Sequence, residues 1–389
     1  MPSLFDRSAL AERTVGSLTW VEVDLNAIAD NTRAIKRWVG DHVEVIAVVK
    51  ANAYGHGAVP VARAALAAGA SRLAVHRLTE GVALREAGIE APILVMAPLL
   101  PEEAAEMVRW RLTPTLSTVE AAQALDGAAR GAGCVIPVHV EVDTGMGRAG
   151  VLPEEAVALA QALQGMDGLA LEGLYTHFAT ADESDPSFAM RQLNRFEEVI
   201  AALESSGIRV PIRHAANSAA AMRFRAAHFE AVRPGLALYG MRPSLEWEPP
   251  FPLRPALSWK SRVIRVWSIA PGESVGYGRT FIADRERRMA LVPVGYGDGY
   301  LRALSNRGKV LIRGRPAPVR GRVSMDQIVV EVTDIPDVKI GDEVVILGRQ
   351  GENEIRAEDI ATWAGTINYE ITTMISPRVP RIYRSGEAS

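Results

Sequence analysis

The segment VEVIAVVKANAYGHGAVPVARAALAAGASRLAV, residues 43–75, decides the fold. It opens on VEVIAVVK, an apolar run rich in β-branched residues that reads as a buried strand. A glycine-punctuated loop follows. The Ala-rich VPVARAALAAGA then carries proline near its start and glycine at its end, the asymmetry expected of a helix. RLAV, from Arg72, reads as the next strand. The same alternation recurs downstream, with strands read at PILVMA (from Pro92), LTPTL (from Leu112), VIPVHVEV (from Val135), LEGLYTHF (from Leu171), PIRHA (from Pro211) and AVR (from Ala231). TEGVALREAG, PEEAAEMVRW and FEEVIAALESSG supply further helices. Eight strands alternating with helices indicate a parallel (β/α)8 barrel of the TIM type rather than an open sheet.

After about Pro255 the pattern changes. SWKSRVIRVWSI, RRMALVPVG, KVLIR, QIVVEVT and DEVVILG follow one another through Gly, Pro and Asp turns with almost no helix between them. That reads as a mostly antiparallel β domain. The proline-rich SLEWEPPFPLRP is the expected linker, and the alternating LTWVEVD near the N-terminus is assigned to the β domain. The expected organisation is therefore a barrel domain over residues 24–250 and a β domain over 251–389, with residues 1–23 giving it a strand.

Bulk properties narrow the class. The 389 residues fit a barrel of about 250 residues plus a smaller partner. A net charge of -3 with no Lys/Arg-rich run gives no reason to expect nucleic acid. MPSLFDRSALAERTVGS lacks the apolar run of a signal peptide, and no window resembles a membrane helix. Cys134 is the single cysteine, so no internal disulfide forms and a reducing, cytoplasmic setting is expected. The seven histidines are dispersed without ligand spacing, so no metal site is expected.

In this fold the active site lies at the carboxyl ends of the strands, and the reactive residue types fall there. Lys50 ends the first barrel strand, Glu141 and Arg148 lie at and beyond the fifth, and His177 closes the sixth. Ser218 follows the seventh, and Arg233 with Gly235 follows the eighth. A lysine ending an apolar run is partly desolvated, which lowers its pKa and makes it a better amine nucleophile towards an aldehyde. Strand-end lysines also snorkel to water; the ANAYGHG loop, with its glycines and a phenol, favours an anionic ligand instead. HAANSAA puts the Ser218 hydroxyl at a strand-to-helix junction, where either an N-cap or an anion contact is served. RPGLALYG lets amides around Gly235 and Leu236 approach closely. GMGRAG (Gly145, Gly147, Gly150) matches the dinucleotide pattern, but after a fifth barrel strand and with Arg148 in the turn it is read as a decoy.

Nine segments now stand in order: AVVKANAYGHG, VDTGMGRAG, LYTHFATAD, HAANSAAAM, VRPGLALYG, VGYGRTF, VPVGYGDGY, GRVSMDQ and NYEITTMISPRVPRIY. Over nearly its full length the chain resembles the alanine racemases, a family of barrel-type pyridoxal-phosphate enzymes. The resemblance implies that Lys50 carries the cofactor covalently and serves as one catalytic base, with Tyr277 as the second. It implies that Tyr54, Ser218, Gly235, Leu236 and Tyr369 hold the phosphate. Arg233 would face the pyridine nitrogen, Arg148 the phenolic oxygen, and His177 would stack on the ring. Tyr296, Met325 and Asp326 match the entrance and the substrate-carboxylate region. A head-to-tail homodimer with shared active sites, alanine as substrate and D-alanine supply for peptidoglycan are likewise implied. Many members have a lysine where this chain has Glu141; that lysine becomes anionic by carbamylation and anchors the arginine. Glu141 is expected to supply a carboxylate to Arg148 directly.

Rival readings remain distinguishable. A barrel-type amino-acid decarboxylase resembles this plan but places a catalytic cysteine in the β domain, whereas Cys134 lies in the barrel half. A non-catalytic cofactor carrier would need neither β domain nor Tyr277. Serine or a broader set of amino acids stays open as substrate.

Overall fold

The computed structural model describes residues 17–385. The stretch 1–16, read above as lacking a signal segment, lies outside the described residues. The chain divides into two compact units: one is Ile28–Ala53 with Ala58–Leu253, and the other takes Tyr54–Gly57 and the described residues before Ile28 and after Leu253.

Strand β1 (Thr19–Asp24) belongs to the second unit. The first unit holds the eight expected barrel strands: β2 (Glu44–Val48), β3 (Arg72–Val75), β4 (Ile93–Pro98), β5 (Thr113–Leu116), β6 (Ile136–Glu141), β7 (Leu169–Tyr175), β8 (Ile212–His214) and β9 (Ala231–Val232). They lie in the order β8-β7-β6-β5-β4-β3-β2-β9, each strand parallel to its neighbours. The ring is drawn together between β8 and β9 by backbone bonds from Glu230 N to Arg213 O (3.1 Å) and from Arg233 N to Ala216 O (2.8 Å). The helices form where sequence places them. In Ser187–Ser205, Leu193, Phe196, Ile200 and Leu203 recur at three- and four-residue spacing and are buried. Each such side chain stabilises the fold by roughly 1.5–3 kcal/mol. Gly69, Gly88 and Gly207 follow helices with φ of 108°, 78° and 77°, a left-handed exit that suits a residue without Cβ.

The strands are not regular throughout. Val138 pairs with Leu171 but His139 pairs with Gly173, so Glu172 is an extra residue in β7. Such a bulge re-aims a side chain.

In the second unit β1 lies between β10 (Leu257–Arg262), to which it is antiparallel, and the C-terminal strand Arg381–Arg384, to which it is parallel. The LTWVEVD segment thus enters the β sheet, burying Val21 and Val23. The rest of that sheet is antiparallel and includes Lys309–Ile312, Arg315–Pro318, Glu343–Gln350 and Asn353–Ile355. Its core holds Trp259, Val310, Ile312 and Val344–Ile346. Two short helices, Ala357–Ala364 and Asn368–Thr373, follow the strands, which the sequence pattern did not suggest.

Candidate active site

Strand β2 ends at Val48, so Lys50 stands just beyond the strand rather than within it. From Ala51 to Tyr54 four successive non-glycine residues take φ of 52–53°. This left-handed turn costs about 1–2 kcal/mol per residue, and hydrogen bonds hold it: Ala51 N donates to Glu80 Oε1 (2.6 Å), and Ala58 N to Asn52 Oδ1 (2.9 Å). Strain of this kind concentrates at functional sites. The Lys50 amine is pushed below the ordinary lysine value, first by burial and then by the Arg148 and Arg233 charges, with Glu80 and Glu141 opposing. A neutral amine is therefore accessible there.

Arg233, 3% exposed, is fixed by acceptors on three sides. Nη1 donates to His214 Nδ1 (2.6 Å) and His214 O (2.9 Å), and Nη2 donates to Thr176 O (2.7 Å). Nη2 also lies 3.4 Å from His177 Nδ1. Burial and the Arg233, Arg148 and Lys50 charges lower the His177 pKa to about 3, so this imidazole is neutral. Its service is to pack and accept rather than to carry protons.

Ser218 is the first residue of the short helix Ser218–Arg223, but it is not the cap. Asn217 caps, accepting from Ala220 N at 3.0 Å. The buried Ser218 hydroxyl instead accepts from Gly235 N (2.9 Å) and Ala237 N (3.2 Å). Leu236 lies between those two amides. The hydroxyl thus spends the Gly235 and Ala237 amides but keeps its own hydrogen to donate, so an anion beside Arg233 would be met by Ser218 Oγ–H and the Leu236 backbone between those amides.

The GMGRAG loop is organised from within. The Asp143 carboxylate accepts from the amides of Gly145 (2.9 Å), Gly147 (3.0 Å) and Arg148 (3.2 Å). Those N–H groups are consumed, which explains why the glycine pattern is no phosphate loop. The direct pair expected between Glu141 and Arg148 is not formed. Glu141 is buried and accepts from Tyr175 Oη (3.3 Å), whereas Arg148 is exposed on the loop; the two attract at longer range. Burial raises the Glu141 pKa, against the pull of Arg233 and Arg148. We expect Glu141→Gln to lower kcat about ten-fold, the size of a Coulomb attraction across roughly 10 Å in a partly wet site. Bicarbonate should change neither protein's rate; steady-state assays in bicarbonate-free buffer check both.

In the second unit Tyr54 and Tyr369 pack as a tilted pair, ring centroids 6.1 Å apart, and burial raises the Tyr54 pKa. Tyr277 sits between Gly276 and Gly278, both at φ 72°, and is 72% exposed. Tyr296 (44%) and Met325 (53%) are also exposed. Their loops are tied together, Tyr296 N donating to Ser324 O (3.0 Å) and Gly297 N to Met325 O (2.8 Å). Sequence reading passed over Arg378, which clamps this region: Nε donates to Asp298 Oδ1 (2.7 Å) and Nη2 to Asp326 Oδ1 (2.8 Å). Its signal was faint, one arginine in SPRVP.

Sequence reading also passed over the polar interior of the barrel, where His139 and His214 are 1% and 0% exposed. Burial lowers both pKa values. Below about pH 6.5 the unfolded chain takes up protons that these native imidazoles refuse, so stability present above that pH is lost as pH falls. Each contributes a slope of up to ~1.4 kcal/mol per pH unit. Urea titrations at pH 8, 6 and 5 should show the midpoint falling steeply below pH 6.5; a flat profile would contradict neutral buried histidines.

Among the described residues no group of three or more His, Cys, Asp and Glu side chains is arranged to hold a metal, and no helix is long and apolar enough to cross a membrane. Comparison with known proteins covers the whole plan. Residues 23–243 match the family model "Alanine racemase, N-terminal domain" and residues 256–383 match "Alanine racemase, C-terminal domain". The alanine racemase of Symbiobacterium thermophilum is 49% identical over 371 residues, 95% of this chain and 98% of the relative. That of Halothermothrix orenii is 46% identical over 367 residues, 94% and 97% respectively. The crystal structure of alanine racemase from Bacillus anthracis with bound L-Ala-P superposes with a TM-score of 0.89 at 43% identity, covering 95% of each chain. A histidine racemase from Leuconostoc mesenteroides shares the fold at 30% identity and a TM-score of 0.87, covering 95% of this chain and 98% of that one.

Proposed function

This chain belongs to the alanine racemase family, and we propose that it interconverts L- and D-alanine by a two-base mechanism with Lys50 and Tyr277 on opposite faces of the substrate. One observation carries the reading: a partly buried amine, flanked by Arg148 and Arg233, stands at the carboxyl end of the first barrel strand.

The residues present fit pyridoxal 5'-phosphate. The Lys50 amine suits its aldehyde, Ser218 with the Gly235 and Leu236 backbone suits its phosphate, and Tyr54 and Tyr369 complete the phosphate set by family resemblance. Arg233 Nε has no partner among the described residues and suits a ring nitrogen; His177 suits packing against the ring and Arg148 its phenolic oxygen. The bound cofactor supplies an electrophile for the substrate amine and withdraws electrons from the α-carbon.

The chain supplies the proton handling. Lys50 Nζ, its pKa lowered, takes or returns the α-proton on one face. Tyr277 Oη does so on the other, where neighbouring positive charge must help a phenol whose ordinary pKa is near ~10. Arg233 is a donor only and so leaves its acceptor unprotonated, which limits electron withdrawal and favours prompt return of the proton. Glu141 steadies Arg148 by charge. Met325, Asp326 and Tyr296 line the entrance and contact the substrate carboxylate region, with Arg378 orienting Asp326.

The exposure of Tyr277 supports a homodimer in which each Lys50 works with the partner copy's tyrosine. Residues 24–250 serve as the cofactor domain, and residues 251–389, with a strand from residues 1–23, as the second-base domain. A cytoplasmic location and a role in supplying D-alanine to peptidoglycan follow from the family.

The histidine racemase relative makes substrate breadth the alternative reading. Chiral chromatography after incubating the cofactor-loaded protein with L-alanine, L-serine and L-histidine separates them. Alanine should approach equal enantiomers first, with kcat/KM at least about ten-fold above the others, the discrimination that a small pocket achieves. Equal rates for all three would replace alanine specificity with a broad activity.

A further inference from the structure

Behind Arg233 a single file of hydrogen bonds crosses the barrel interior. Arg233 Nη1 lies 2.6 Å from His214 Nδ1, and His214 Nε2 lies 2.9 Å from His139 Nδ1. His139 Nε2 lies 3.2 Å from Glu172 Oε2. Glu172 is gripped in turn by Arg72, whose Nη1 and Nη2 donate at 2.9 and 3.1 Å, and Arg72 Nε also donates to Glu44 Oε2 at 2.8 Å.

The proton positions in this file follow from its ends. A guanidinium only donates, so His214 Nδ1 must offer a lone pair. A neutral His214 then carries its hydrogen on Nε2 and donates it to His139 Nδ1. His139 must carry its own hydrogen on Nε2 and donate to Glu172, which as a carboxylate only accepts. A doubly protonated imidazole at either position would set two N–H groups against each other. The two ends impose one direction.

The fold has built this file deliberately. The bulge in β7 brings Glu172 to His139, and the next residue is glycine because the imidazole occupies the space: a Cβ on Gly173 would lie 2.3 Å from His139 Nδ1. Tyr175 stacks on His214, ring centroids 4.9 Å apart, and Arg233 Cζ lies 4.8 Å over the Tyr175 ring. Among the described residues Arg233 makes no direct ion pair, although it is a buried cation, and such a cation needs a counter-charge. Hydrogen bonds from His139 and Arg72 outweigh burial and hold the Glu172 pKa at about 2, so the anion persists at working pH.

We propose that Glu172 is a positioning residue for the racemase site, acting through His139 and His214 to fix the tautomer that holds Arg233 in place. Only the kinetic half of its test rests on the racemase reading. Glu141 attracts Arg233 through space, whereas Glu172, already paired with Arg72, sets the direction in which the two neutral rings present their lone pairs to it.

The test is two-bond 1H–15N spectroscopy of the holoprotein labelled at histidine nitrogen, with kinetics on the same samples. Wild type should show His139 and His214 as neutral Nε2–H tautomers that do not titrate between pH 6 and 8. A hydrogen on Nδ1 of either ring overturns the proposal, whatever the variants do. In Glu172→Gln, Arg72 draws the amide oxygen and sets the NH2 against His139 Nε2–H. The pure Nε2–H state of His139 should be lost, and kcat should fall about ten-fold with KM within about two-fold, the size of effect seen for outer-shell partners. Glu172→Asp keeps acceptor-only oxygens and should keep both tautomers with a smaller loss. Wild-type tautomers and kcat in Glu172→Gln, or equal kcat losses in the Gln and Asp variants, would overturn it. Absence of racemisation by wild type would instead overturn the function while leaving the tautomers to be judged.

Discussion

Lys50→Ala should lower alanine racemisation by at least about 10,000-fold, the order seen when a nucleophile that also serves as base is removed. The amine links the chain to its cofactor and takes the proton on one face, so both functions vanish together. Lys50→Arg should be equally inactive, because guanidinium keeps the positive charge but neither deprotonates nor adds to an aldehyde under these conditions. That second variant separates chemistry from electrostatics: more than about a tenth of wild-type activity in it would mean that the charge alone matters. The pH profile carries the same sign. The neutral amine, freed once substrate is bound, is the active form, and burial with Arg148 and Arg233 lowers its pKa, so kcat should rise with pH and level off below the ordinary lysine value of 10.5.

Tyr277→Phe should cost roughly 1,000-fold in racemisation, a loss typical of removing one acid–base group. Its effect should be unequal for the two enantiomers. In deuterium oxide, D-alanine should still exchange its α-hydrogen through Lys50, whereas L-alanine should keep its own. Equal exchange from both would exclude Tyr277 as the base for the L face. Mixing Lys50→Ala and Tyr277→Phe proteins, then allowing subunits to exchange, tests the shared site. If each site takes Lys50 from one copy and Tyr277 from the other, a mixed dimer has one site intact and one doubly damaged. Random exchange then restores about a quarter of wild-type activity. No recovery would place both bases in one copy.

Much of the barrel was legible because β-branched runs and Gly- or Pro-bounded helices alternate from Val43 onward. Even the last two strands, Ile212–His214 and Ala231–Val232, were legible despite their brevity, since a conspicuous residue follows each. Lys50, Ser218 and Arg233 could be singled out because the fold directs attention to strand ends. Periodicity reports which face a residue occupies, not its partner a hundred residues away. Hence the Glu172–Arg72 contact, the His139–His214 contact and the Arg378 clamp were not readable. The left-handed turn at Ala51–Tyr54 was invisible for another reason: no glycine lies within it, and a tertiary bond from Ala51 to Glu80 with a local one from Ala58 to Asn52 hold it. The Glu141–Arg148 pair was expected from the family resemblance, but burial sends one side chain inward and leaves the other in solvent. GMGRAG matched a dinucleotide pattern, yet Asp143, just before it, already occupies the loop amides.

Reduction of the cofactor-loaded protein with borohydride, followed by proteolysis and mass mapping, tests the central claim most directly. The account predicts a single pyridoxyl adduct on the peptide AVVKANAYGHG, at Lys50. An adduct on another lysine, or none at full cofactor occupancy, would contradict it.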